Sequence, residues 1–185
     1  MIAEIVTYLV RVAADFFVYL LLARFHLQWL RAPFRNPIGE FVLAVTNWMV
    51  VPARRLVPAA AGLDLATLVL AFLVQGLGIA VSAAVRGAGS DPAALALVSA
   101  LDLVRYSLHI LVFALVVQVV LSWTSPYSPL APLFQAITRP FLAPIRRFVP
   151  LLGGVDISPL VLLVVLQVLF IPLAHLRVGL AGFSL

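Results

Sequence analysis

Cysteine is missing from this sequence, which excludes disulfides, thiolate metal sites and thiol nucleophiles. Lysine is missing too: all 12 basic residues are arginine, set against 7 acidic ones. Charge of either sign is scarce, at 10% of the chain, where a soluble domain carries about a quarter. No metal-spaced cluster, phosphate loop, Ser-His-Asp set or pair of catalytic carboxylates occurs. His26, His109 and His175 are scattered and unmatched in spacing. These absences argue against an enzyme and imply no cofactor or metal. The N-terminal MIAEIVTYLV has no basic stretch before its apolar run and carries Glu4, so it reads as a retained span, not a cleaved leader. What the chain has instead is apolar surface, with 64% hydrophobic residues and a mean hydropathy of +1.18. One aqueous core cannot hide that much, and the chain reads as an integral membrane protein. Its arginines sit between apolar blocks, which argues against nucleic acid and for anionic lipid headgroups as partners.

Four stretches are long enough to cross a hydrocarbon core, which takes about 20 helical residues: Ile5–Leu27, Leu65–Val85, Leu95–Leu121 and Pro159–Leu176, the last extending toward the apolar tail. Sliding the chain over itself by 92 positions places Pro37 on Pro129, Thr46 on Thr138, Pro52 on Pro144, Arg54-Arg55 on Arg146-Arg147, and Pro58 on Pro150. Gly62 and Asp64 then fall on Gly154 and Asp156, and Gln75 on Gln167. The chain is a duplication, with repeats at 1–88 and 89–185, each built as span, linker, span. An even number of spans per repeat makes the halves parallel. The linkers hold Arg31, Arg35, Arg54, Arg55, Arg139, Arg146 and Arg147, while the opposite side has only Arg86 and Arg177. The positive-inside rule puts both linkers in the cytoplasm and both termini outside it.

Each linker opens with a helix-start signal, Asn36-Pro37 or Ser128-Pro129: a capping oxygen followed by a proline whose missing donor costs nothing at the first helical position. The spacing predicts short interfacial or re-entrant helices over 37–51 and 129–143, ending before Pro52 and Pro144, at about 21 Å too short to span. Phe41, Val42, Val45, Trp48 and Met49 recur at helical spacing on the first. The proline-fenced arginine pair follows, then a Gly-x-Asp turn that places Asp64 or Asp156 to cap the next span. Arg54, Arg55, Arg146 and Arg147 are candidates to bind lipid phosphate, to pair with the nearby aspartate, or to hold a protein partner or a second copy.

Four charges lie inside the spans: Arg11 and Asp15 in the first, Asp102 and Arg105 in the third. Charges in lipid are costly and face the bundle interior in pairs. Each pair can close within its helix, or Arg11 can meet Asp102 and Asp15 meet Arg105 across the repeats. We expect a compact cluster that locks the repeats together or lines an ion or proton path. Arg24, near the inner end, is expected to snorkel. Gly76, Ala80 and Ala84 at four-residue spacing, and Gly78 with Ser82, give the second span small residues suited to close packing or to a homo-oligomer contact.

The segments NPIGEFVLAVTNWMVVPARRLVPAAAGLDLATLVLAFLVQ and SPLAPLFQAITRPFLAPIRRFVPLLGGVDISPLVLLVVLQ resemble the duplicated repeat of the YggT family, small bacterial inner-membrane proteins with plastid relatives. The resemblance implies an all-α membrane fold without catalytic residues. It also implies roles in osmotic or ion homeostasis, envelope and division-site organisation or, in plastid relatives, haem attachment. The expectation is a non-enzymatic membrane scaffold or assembly factor, with a small channel or transporter subunit as the alternative and haem handling behind both.

Overall fold

The computed structural model describes residues 1–58, 62–87, 89, 91–149 and 156–182. They form six helices: α1 (Ile2–Trp29), α2 (Pro37–Leu56), α3 (Leu65–Val85), α4 (Pro92–Thr124), α5 (Ala131–Phe148) and α6 (Ser158–Gly182). Among the described residues there is no β-strand. Helices α1, α3, α4 and α6 are long and apolar enough to cross a membrane. Each contains a stretch read from the sequence, with α3 matching it end for end and the others running longer.

The linker helices depart from expectation. Helix α2 does not stop before Pro52, nor α5 before Pro144; both prolines lie inside their helices. A proline forfeits one backbone bond and crowds the carbonyl four residues back, but Pro52 and Pro144 face outward, where polar surroundings can serve the freed carbonyl. At 20 and 18 residues, about 30 and 27 Å, length no longer excludes these helices from crossing; their mixed composition leaves them outside the spanning set. The first starts as expected, with the Asn36 side chain accepting from the Gly39 N–H at 2.9 Å and Pro37 at the first position. The second starts later, at Ala131, with Pro132 at its second position, so Pro129 lies before the helix. Ser128 serves the entering turn instead, accepting from the Leu130 N–H at 3.3 Å. Each helix buries one stripe, Val42, Thr46 and Val50 on α2 and Leu133, Phe134, Ile137, Thr138 and Leu142 on α5, and Phe41 and Trp48 point outward.

Two apolar cores result. One joins Val18, Leu21 and Leu22 of α1 to Val50, Ala71 and Leu103. The other gathers α5 against Leu27, Leu111, Ala114, Leu115, Leu162 and Leu166. The duplication is not packed symmetrically. Helices α1 and α3 make the most extensive contact in the molecule, whereas α6 touches α4 and α5 but not α1. A close crossing explains the difference. At Gly78 a Cβ would lie 2.7 Å from that of Ala14, so only glycine lets α3 approach α1 this far. Shifted by 92, those positions hold Phe170 and Tyr106, and Phe170 stacks on His109 at a centroid distance of 4.7 Å. The aromatic ring keeps α6 off α4 where glycine lets α3 close.

Gly78→Val should therefore destabilise the bundle by about 1–3 kcal/mol through overpacking. Gly76→Ala, whose new Cβ would meet Ser99 Oγ at 3.4 Å, should be far milder. Thermal unfolding of both variants in detergent measures the difference.

Candidate functional site

The repeated motif folds into two latches. In the first repeat, the last turn of α2 brings Arg54 to Asp64, with Nη2 2.6 Å and Nε 3.3 Å from Oδ2. Continuation of α2 past Pro52 is what carries Arg54 there. Thr67 donates its hydroxyl to the same oxygen at 2.5 Å. Oriented by these neighbours, the Gln28 amide donates to Asp64 Oδ2 at 2.8 Å and accepts from Arg54 Nη2 at 2.7 Å. Asp64 thus occupies the cap position of α3, but its carboxylate makes no bond to the helix backbone. The turn before it needs glycine, since Gly62 has φ +78°, a left-handed conformation that Cβ-bearing residues resist. In the second repeat Arg146 binds Asp156, with Nη2 and Nε 2.8 and 2.9 Å from Oδ2, and Oδ1 accepts the Ser158 N–H at 2.9 Å. Pro58 follows the first latch arginines as read; Pro150 and Gly154 lie outside the described residues. One arginine of each pair is therefore engaged within its own repeat. Arg55 and Arg147 are exposed, and among the described residues neither makes an ion pair.

Burial alone would raise the Asp64 carboxyl, but the hydrogen bonds from Arg54 and Thr67 outweigh it and hold the group below the ordinary value of 3.8. Asp156 is likewise held low, burial being overcome by the Ser158 bonds and then by Arg146.

A second repeated pin lies deeper. Thr46 and Thr138, matched by the 92-residue shift and both fully buried, each donate to the carbonyl one turn back, Val42 at 2.6 Å and Phe134 at 2.9 Å. Each also meets a polar side chain of the preceding span. Arg24 Nη1 donates to Thr46 Oγ1 at 2.7 Å and to Asn47 Oδ1 at 2.9 Å, and Thr138 Oγ1 meets the side-chain amide of Gln118. Arg24 does not snorkel; it is 2% exposed and fastens α1 to α2. The matched threonines were the signal for this pin, but their partners, one cation and one amide, are not matched in sequence.

Of the four charges expected to form one cluster, Asp15 and Asp102 take other partners, and among the described residues neither Arg11 nor Arg105 makes an ion pair. Asp102, 1% exposed, binds neither Arg11 nor Arg105. Arg177 reaches in from α6, with Nε 2.6 Å from Oδ1 and Nη2 3.2 Å from Oδ2. Gln75 of α3 donates to Oδ2 at 2.9 Å. Asp15 accepts from Tyr106 at 2.7 Å rather than pairing with Arg105. Asp102 thereby ties together α3, α4 and α6, and Asp15 ties α1 to α4. A cavity of about 90 Å³ among them is lined by Arg11, Asp15, Gln75, Tyr106 and Arg177, so Arg11 faces the cluster without ion-pairing. Sequence reasoning counted Arg177 as a flank residue; its place near the chain end hid a partner 75 positions from Asp102. Gln167, matched to Gln75, stays exposed on α6.

His109 is hydrogen-bonded to the Tyr19 hydroxyl at 2.9 Å as well as stacked on Phe170, and His26 bonds the Leu22 carbonyl at 2.6 Å. Among the described residues no three His, Asp or Glu side chains converge as metal ligands.

The sequence model of the family described as CCB3/YggT matches this chain twice, over residues 3–85 and 97–176. An uncharacterized protein of Pseudomonas aeruginosa is 36% identical over 157 residues, covering 83% of this chain and 80% of the relative. An uncharacterized protein of Vibrio alginolyticus is 33% identical over 164 residues, 87% of this chain and 89% of its own. The uncharacterized protein YggT of Escherichia coli K12 is 30% identical over 165 residues, 88% of this chain and 86% of its own. No solved structure matches.

Two outcomes follow from this geometry. Arg177→Gln strands a buried carboxylate and should cost about 3–5 kcal/mol. Asp102→Asn keeps the Gln75 contact and frees Arg177 toward the nearby helix end, so it should cost less; the double variant should recover part of the Arg177→Gln loss in a thermal double-mutant cycle. For the latches, a lowered folded pKa means stability that is fully present above the ordinary aspartate value and lost only as pH falls through the lower folded value. Acid unfolding followed by circular dichroism should show a loss below about pH 4 that Asp64→Asn removes in part.

Proposed function

The chain belongs to the CCB3/YggT family, and on that premise we propose that it is a non-enzymatic scaffold or assembly factor of the bacterial inner membrane. Both termini lie outside the cytoplasm, and the latch tips lie inside. The observation that carries this reading is the division of labour within each arginine pair. Arg54 and Arg146 close their own repeats, while Arg55 and Arg147 stay exposed beside Leu56 and Phe148, each 85% exposed. Two similar tips, cationic and apolar, end amphipathic helices, the first of which also exposes Phe41 and Trp48 on its side. Such a surface suits the headgroup layer and a protein partner docked against it, and neither use requires reaction chemistry. The family resemblance links such a scaffold to osmotic homeostasis and division-site organisation.

A second reading, a channel or transporter subunit for potassium or osmotic homeostasis, is favoured by the polar cavity around Asp15, Gln75 and Arg177. It is the weaker of the two, because Asp102 and Asp15 are already bound by neighbours across helices.

Photo-crosslinking in cells with a reactive residue in place of Leu56 or Phe148, each beside an exposed arginine, should give one discrete protein adduct. The same residue at Val164, which faces outward on α6, should not. Arg55→Glu with Arg147→Glu should abolish the adduct while leaving the melting profile near wild type. Absence of any adduct, together with ion flux in liposomes that Asp102→Asn abolishes, would replace the scaffold with the channel.

A further inference from the structure

The asymmetry of the repeats leaves a groove in one of them. Between α4 and α6, at the latch end, lies a cleft of about 560 Å³, within the range of about 300–1,000 Å³ that small-ligand sites occupy. Its walls are apolar, with Val119 on one side and Leu163 on the other, and its mouth carries Gln118, Trp123, Arg146 and Asp156. From Trp123 back to Leu115 it follows α4 for about 12 Å at 1.5 Å per residue. In the first repeat Gly78 draws α3 against α1, and Gln28 sits over the Arg54–Asp64 latch.

We propose that this groove is a binding site for one anionic glycerophospholipid, its acyl chain between α4 and α6 and its phosphate at Arg146. Charge complementarity selects the headgroup. Helix α5 carries Arg139, Arg146 and Arg147 with no acidic residue, against the single carboxylate of Asp156 at the mouth. Arg146 engages that carboxylate through Nε and Nη2 only, so the remaining edge of its guanidinium stays available for a phosphate oxygen. Trp123, 76% exposed, adds an indole N–H at headgroup level. An apolar slot between spans that ends in arginines and an uncharged donor matches a phospholipid along its length. Helix α6, the most exposed of the spans, then gains through the lipid a second neighbour beside α4. The site rests on the scaffold reading only in taking the latch side as a headgroup side.

The test uses the full chain with Trp29→Phe and Trp48→Phe, so that Trp123 alone reports, reconstituted in phosphatidylcholine vesicles. A small fraction of acyl-brominated phosphatidylglycerol should quench Trp123 several-fold more than the same fraction of brominated phosphatidylcholine. Arg146→Gln and Arg147→Gln should each weaken that preference roughly fivefold, and Arg55→Gln should leave it unchanged. Val119→Phe with Leu163→Phe, filling the slot with the arginines intact, should abolish it at unchanged helicity. Equal quenching by the two lipids overturns the proposal, as does an equal preference when Trp48 is the sole tryptophan, or a preference that survives filling. Native mass spectrometry of the unaltered chain provides an arm free of substitutions: one phosphatidylglycerol retained per chain is expected, and retention of neither lipid rejects the site. These readouts need no protein partner, so a failed crosslink and a failed lipid test remain distinguishable.

Discussion

A polar side chain inside hydrocarbon has no water to turn to, and this molecule is arranged around that constraint. Most of the buried polar groups within the spans are fastened to another helix or to their own backbone. Asp102 holds Arg177 and Gln75, Asp15 holds Tyr106, Tyr19 holds His109, and Arg24 holds Thr46 and Asn47. Because apolar helices gain little from one another in a solvent that is itself apolar, these bonds act beside the close glycine packing of α1 on α3 in holding the helices together. They make α4 the hub: through Asp102, Tyr106 and His109 it is bonded to α3, α6 and α1.

Duplication supplied the parts, and side-chain volume decided how they close. Both repeats build a helix that passes through a proline, delivers an arginine to an aspartate at the head of the next span, and buries a threonine against the span before it. Those features tolerate a change of surroundings because each is completed within its own repeat. Contact between the two spans of a repeat depends instead on how closely two backbones approach. Glycine against alanine in the first repeat and phenylalanine beside tyrosine and histidine in the second give a closed half and an open one. The open half is where the groove lies, so the less symmetric part of the molecule carries the more distinctive surface.

The same division explains which parts of the site were legible beforehand. The latch motif was visible as Pro-x-Arg-Arg-x-x-Pro followed by Gly-x-Asp, and the aspartate 10 residues on was one of three partners open to its arginines, beside lipid phosphate and a protein. That Asp102 and Asp15 lie in a polar cluster was legible as well, because carboxylates in apolar runs must be answered. Their partners were not. Arg177 looked like a flanking charge, and its long side chain, reaching inward from near the end of α6, cannot be told from one reaching outward until α6 is placed beside α4. Likewise, Pro52 and Pro144 were read as stops, since propensity does not say that a proline on the outward side can be tolerated.

The sequence by itself determined four spans and two parallel repeats, because hydropathy, periodicity and internal repetition need no knowledge of neighbours. Only the tertiary structure decided which arginine answers Asp102, that one half closes while the other stays open, and that the repeated threonines meet an arginine in one repeat and a glutamine in the other. Those outcomes depend on distances between helices, and such distances are set by pairs of side chains far apart in the chain, whose volumes carry no mark of the partner they will meet.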